Sequence, residues 1–174
     1  ILNDRGGYES DCTVTGIGAD EFMLVTGSAQ AVRDRDVIER AIAAVGDRVH
    51  CQVTDVTATF AMLAVMGPRS RELLQRVSTA NFSNAAFPFV ASREIDVGYA
   101  TVRATRLTYV GELGWELYVP VEFAVGVYES LMRAGADFGV ANAGYYAIES
   151  LRLEKGYRAW GRELTPDINP YEAG

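Results

Sequence analysis

Thr105-Arg106-Leu107-Thr108-Tyr109-Val110-Gly111-Glu112-Leu113-Gly114-Trp115-Glu116-Leu117-Tyr118-Val119-Pro120 sets two extended arms around a glycine-bracketed centre. Trp115, Leu117 and Val119 alternate with Glu116 and Tyr118, the period of two expected of a half-buried strand. The two glycines of Val110-Gly111-Glu112-Leu113-Gly114 permit the backbone angles of a hairpin loop. The reading is therefore a hairpin, Val102–Tyr109 and Trp115–Val119, with Glu112 at its mouth and an aromatic residue at each shoulder. A carboxylate between aromatic faces suits a flat, nitrogen-rich heterocycle, because its oxygens accept side by side from an N–H/NH₂ edge.

Moving upstream, Arg93–Val97 is a strand candidate ending at Gly98, and Asn81–Ser92 is irregular. Gly67-Pro68 opens a short helix with proline at the permitted first position and Leu73, Leu74 and Val77 facing inward. Val49–Val56 and Phe60–Met66 are two more strand candidates. Before them, Val37, Ile38, Ala41, Ile42 and Val45 repeat at helical spacing within Ala31–Val45. Ser28 is a suitable N-cap for that helix and Gly46 a suitable stop. Arg33, Arg35, Glu39 and Arg40 read as its solvated face. Asp11–Ile17 alternates like a strand, and Glu21–Thr26 reads as a more fully buried one. Downstream of the hairpin, Glu122–Ala134 carries Val125, Tyr128, Leu131 and Met132 three and four apart. Asn142 can cap a last helix reaching Lys155 and closed by Gly156. The order is strand-strand-helix twice, then strand-strand-helix-helix. Repeated ββα units of this kind form antiparallel sheets with helices packed on the sheet faces, an α+β architecture.

At 174 residues the chain can form one sizeable domain or two small ones. A net charge of −7 without a basic run argues against a nucleic-acid surface. No apolar run is long enough to span a bilayer as a helix. His50 is the only histidine, and Cys12 and Cys51 lack metal-ligand spacing to it, so no metal site is expected and the thiols read as small buried strand residues. A lone histidine in a strand-like run also argues against a serine-histidine-aspartate triad. Chemistry falls to carboxylates, arginines and aromatics.

Three constellations hold such groups. In Gly6-Gly7-Tyr8-Glu9-Ser10-Asp11, a flexible turn delivers Asp11 to the start of a strand. In isolation an aspartate there more often satisfies turn amides. Tyr109 with Glu112 forms the second, for which simple exposure to water is the competing explanation. The third is Gly144–Gly161, where Tyr145, Glu149 and Arg152 share a helix face and Ile148 and Leu151 are expected on the buried side. A surface Glu149–Arg152 pair would be worth little. An arginine in so apolar a stretch, however, is usually kept for a specific partner. Trp160, between Ala159 and Gly161, suits core packing and a ring-stacking wall about equally.

Read together, Asn3-x-x-Gly6-Gly7-x-x-x-Asp11, Tyr109-Val110-Gly111-Glu112-Leu113-Gly114-Trp115-Glu116, Ser150-Leu151-Arg152-Leu153-Glu154-Lys155-Gly156 and Thr165–Gly174 occur in that order. The chain resembles the tetrahydrofolate-dependent aminomethyltransferase family, the T protein of the glycine cleavage system and its relatives. Membership implies transfer of an aminomethyl or iminium one-carbon unit onto tetrahydrofolate, giving 5,10-methylenetetrahydrofolate. By the same resemblance Asp11 is the catalytic carboxylate beside the reacting nitrogens. Glu112 holds the pterin edge, and Thr13, Tyr109, Arg152 and Trp160 contribute to the folate pocket. Implied partners are a small amine-derived one-carbon donor and either a lipoyl carrier protein or a flavin dehydrogenase domain. FAD is implied only where such a separate domain exists. The implied compartment is the cytoplasm, or the mitochondrial matrix in a eukaryote.

Ser10 stands where the T protein usually has the first of two aspartates, Val110 where it has threonine, and Ile148 where it has arginine. These departures, with Arg158-Ala159-Trp160-Gly161 and Asn169-Pro170, are similar to the folate domain of dimethylglycine and sarcosine dehydrogenases. The Lys-Gly-Cys-x-x-Gly-Gln-Glu signature of the non-catalytic iron–sulfur-assembly relatives is absent. The family pattern also implies strands before Ile1 and a C-terminal barrel after Gly174, so residues 1–174 are expected to be a partial folate-binding domain.

Overall fold

The computed structural model describes residues 1–174. In chain order the elements are β1 (Cys12–Gly16), β2 (Phe22–Thr26), α1 (Ala31–Val45), β3 (Phe60–Met66), α2 (Ser70–Val77) and β4 (Ser92–Val97), followed by β5 (Ala100–Thr105), β6 (Gly114–Pro120), α3 (Ala124–Gly135), α4 (Tyr145–Glu154) and α5 (Pro170–Ala173). They divide into two units, one of Ile1–Thr54 with Arg158–Gly174 and the other of Asp55–Tyr157. No helix is long and apolar enough to cross a membrane.

The second unit is built on the Thr105–Pro120 stretch. β6 lies inside a four-stranded antiparallel sheet of order β3-β6-β5-β4. Its register against β3 sets Leu63 opposite Leu117 and Val65 opposite Trp115. The period of two sends Trp115, Leu117 and Val119, all fully buried, toward one face. Leu73 and Leu74 of α2 and Val127 and Leu131 of α3 join the same core. Trp115 meets Phe82 and Phe87 edge-on, at ring-centroid distances of 5.4 and 6.0 Å. Both phenylalanines come from the irregular segment after α2, which is therefore held by its aromatic residues rather than by a ladder. On the opposite face the Tyr118 hydroxyl donates to the Glu116 carboxylate. Burial first, then that carboxylate, push the Tyr118 phenol above its ordinary range and keep it a donor.

Four expectations are corrected here. The β5–β6 hairpin closes at Thr105 opposite Glu116, so the connection spans residues 106–113 and is longer than the glycine pattern suggests. Beyond Thr105 the backbone bonds elsewhere, with Arg106 N donating to Ala91 O (2.9 Å) and Val90 N to Arg106 O (3.0 Å). Val49–Val56 is not a strand; Val49 and Val56 are exposed and no neighbour supplies a ladder. The repeat thus reduces to ββα, βα and βββααα, within an α+β fold. In α3, Val125 and Tyr128 are exposed while Val127 and Leu131 pack inward. A 3₁₀ turn at Val121–Phe123 precedes α3, and the rotational phase that faces the sheet belongs to Val127 and Leu131. Finally, Asn142 does not cap α4; its Nδ2 donates to the Tyr128 hydroxyl at 2.8 Å, and Gly144 occupies the N-cap.

In the first unit β1 and β2 pair antiparallel, Cys12 opposite Thr26 through Gly16 opposite Phe22. β2 is less buried than its composition suggests, with Phe22 exposed. Cys12 is a half-buried free thiol that burial pushes above its ordinary pKa, and Cys51 is exposed and outside any strand. A 3₁₀ turn at Ser28–Gln30 enters α1, so Ser28 makes no cap. The buried residue of α1 is Asp34, whose carboxylate accepts from the Thr26 hydroxyl and ties the helix to the end of β2.

Replacing Trp115 by alanine should lower stability by about 3–5 kcal/mol, the usual cost of emptying a large aromatic site. Urea denaturation of the wild-type and variant proteins measures it.

Candidate functional site

The four sequence motifs fold as two pairs. In the first unit, Asn3-x-x-Gly6-Gly7 forms a loop that receives the Thr165–Asn169 segment. Asn3 Oδ1 accepts from the backbone N–H groups of Arg5 (3.0 Å) and Gly7 (2.9 Å), while its Nδ2 donates to Pro166 O at 3.0 Å. Gly6 turns the chain at φ +82°. Gly7 meets Pro166 so closely that a Cβ there would lie 1.9 Å from the carbonyl oxygen, which only glycine avoids. Trp160 Nε1 donates to Tyr8 O at 3.1 Å, and the Arg33 guanidinium lies 4.9 Å from the indole centroid while pairing with Glu9 at 2.7 Å. Trp160 is therefore neither fully in the core nor free: its edge is anchored and one face carries a cation. Arg33 is correspondingly more than part of a solvated face.

Out of this loop the chain enters β1. Asp11 precedes the strand and is exposed; Thr13 lies within it, half-buried, opposite Val25.

The second unit pairs the glutamate loop with the end of α4. Glu112 is half-buried and forms an ion pair with Lys155 Nζ at 2.9 Å. The Lys155 stem crosses Gly111, whose φ is +72° and whose added Cβ would lie 2.5 Å from Lys155 Cγ. Gly114 is constrained by space alone, since a Cβ would come within 2.7 Å of Met66 Cγ. Both glycines are thus needed for close approach. Tyr109 stands at the rim of the same loop, 36% exposed.

Arg152 is 0% exposed and Glu149 nearly so. The guanidinium donates from Nε to Glu149 Oε1 (2.8 Å) and from Nη2 to Oε2 (2.9 Å), a two-pronged match, and from Nη1 to Tyr157 O (2.7 Å). Leu151, expected on the buried side, is exposed instead, and Ile148 is only half-buried. The inward face of α4 carries the charge pair because an arginine that cannot lose its proton must bring its counter-ion with it.

Sequence reasoning did not single out Lys155 as a site residue. A signal was present, since it is the only lysine in the chain and follows Arg152 by three positions. A carboxylate acceptor beside an ammonium donor, with a phenol at the rim, fits the amide and amidine edge of a pterin.

The fold and these paired motifs define an aminomethyltransferase-type domain. The family model described as the GCVT N-terminal domain matches residues 1–174, and the chain belongs to that family. It is 41% identical over 187 residues to sarcosine dehydrogenase, mitochondrial, of Homo sapiens, and 40% identical over 174 residues to dimethylglycine dehydrogenase, mitochondrial, of Mus musculus. Each match covers the whole chain and 20% of the relative, so the chain spans about a fifth of those proteins. The crystal structure of glycine cleavage system aminomethyltransferase T from Bartonella henselae superposes with a TM-score of 0.79 at 29% identity, covering 98% of this chain and 43% of that one.

Replacing Arg152 by leucine leaves the Glu149 carboxylate buried without its charge partner and frees the Tyr157 carbonyl. Chemical denaturation should show a loss of about 3–5 kcal/mol, with replacement of both Arg152 and Glu149 by leucine costing less than Arg152→Leu alone.

Proposed function

We propose that this chain is the folate-binding part of a protein that moves a one-carbon unit from an N-methyl or aminomethyl amine onto tetrahydrofolate, yielding 5,10-methylenetetrahydrofolate. The observation that carries the reading is the glycine-bracketed loop that presents Glu112 together with Lys155 and Tyr109. Glu112 accepts from the pterin edge, and Tyr109 offers a ring face to the flat system. Thr13 contributes a hydroxyl beside Asp11. Arg152 acts at one remove: its bonds to Glu149 and Tyr157 hold the turn from which Lys155 reaches Glu112. Asp11 orients the reacting nitrogens and takes up or returns a proton as the carbon moves. Bound tetrahydrofolate supplies the nucleophilic nitrogens that accept the carbon.

A second reading concerns the donor. The 41% and 40% identities to the sarcosine and dimethylglycine dehydrogenases, with Ser10, Val110 and Ile148 in place of the T-protein residues, favour a folate segment that serves a flavin-dependent demethylating dehydrogenase. Residues 1–174 then form part of a longer polypeptide, and FAD belongs to its other domain. A lipoyl carrier protein is the corresponding partner if the donor is the aminomethyl group of glycine cleavage.

Two substitutions test the assignment in the full-length protein. Glu112→Ala should weaken tetrahydrofolate binding about tenfold or more in calorimetric titration, the loss expected for hydrogen bonds to a charged acceptor; equal affinities would sink the reading. Asp11→Asn should leave that affinity within about threefold of wild type and cut turnover about a hundredfold or more, as removal of a general acid–base group does.

A further inference from the structure

Lys155 stands out among the basic residues. It is the one lysine beside fifteen arginines, it follows a helix end fixed by a buried ion pair, and its stem lies against a glycine that tolerates no side chain. Its ammonium has three protons and no lone pair. Nζ lies 2.9 Å from Glu112 Oε1, which takes one proton, and the side chain is still 44% exposed, which leaves the ammonium donors to spare beside the carboxylate. The loop therefore shows an acceptor and a donor side by side, and a ligand edge that matches it must show a donor next to an acceptor.

We propose that Lys155 is a specificity-determining residue that, with Glu112, reads the lactam edge of the pterin: Glu112 accepts the ring N–H, and Lys155 donates to the neighbouring carbonyl oxygen. This rests on the assignment of Glu112 to the pterin. The consequence is selection of 2-amino-4-oxo pterins over 2,4-diamino pteridines. A 4-amino group would turn N–H bonds toward an ammonium that can only donate, leaving two donors face to face. The Glu112 carboxylate raises the Lys155 pKa by hydrogen bonding and attraction, so the donor remains protonated under ordinary conditions.

Anaerobic calorimetric titration of the full-length protein with tetrahydrofolate and with its 4-amino-4-deoxy analogue reads this selection directly. Wild type should bind the 4-oxo ligand about tenfold or more tightly, and Lys155→Met should lose about ten- to a hundredfold of that affinity and narrow the preference severalfold, the remainder coming from the ring N–H that only the 4-oxo ligand offers to Glu112. Lys155→Arg should keep the preference, which separates donor loss from general disruption, and matching thermal melts confirm that each variant is folded. Glu112→Gln should weaken both ligands. Undiminished selectivity in Lys155→Met, or no selectivity in wild type, overturns the role of Lys155 and leaves Glu112 standing. Failure of wild type to bind either ligand overturns the folate reading itself.

Discussion

A fully buried arginine is the constraint on which the second unit's site depends. The Arg152 guanidinium stays charged at any ordinary pH, so burying it requires a counter-ion and matched acceptors. Glu149 supplies both carboxylate oxygens from one helical turn earlier, and the Tyr157 carbonyl takes a further N–H. That last bond pulls the chain back over the end of α4, where Gly156 turns it at φ +71°. The turn places Lys155 against Gly111 and its ammonium on Glu112. A charge that would be costly in isolation thereby becomes a fixed point, and the orientation of the Glu112 carboxylate follows from it.

The first unit uses neutral groups for the same purpose. Asn3 satisfies two backbone N–H groups with one oxygen and reaches Pro166 with its amide nitrogen. Backbone bonds from Tyr8 to the Thr165 and Ile168 carbonyls, and the indole bond from Trp160 to Tyr8, close the loop onto a segment some 160 positions away in sequence. Glycine at position 7 is required because two backbones come together there. The entry of Asp11 into β1 is thus set by long-range contacts rather than by local turn preference.

Much of this was readable from residues alone. β1, β2, β3, β4, α1 and α2 lie close to where alternation, helical spacing and glycine stops put them, because those signals are local. The acidic loop and the charged helix stood out for the same reason. The misreadings came where a local pattern was ambiguous. Val49–Val56 has strand composition but no partner to bond with, and strand formation is a property of pairs. Val125 and Tyr128 fit a helical stripe as well as Val127 and Leu131 do, and only the position of the sheet chooses between them. The first arm of the hairpin stops at Thr105, short of the expected Tyr109, because Arg106 exchanges bonds with Val90 and Ala91, neighbours that no short-range pattern reveals.

By itself, then, the sequence determined the α+β class, the family pattern and the residue types of the glycine-bracketed acidic loop. Tertiary structure decided how those residues are used. It joined the first motif to the fourth and the second to the third, made Arg152 a buried strut, and put the chain's single lysine on Glu112. The physical reason is that periodicity and turn chemistry act over a few residues. The partner of a buried charge, or of a glycine at close approach, is chosen by how distant segments pack. The glycine-bracketed glutamate was therefore visible from the start, whereas the ammonium that holds it emerged only from the fold.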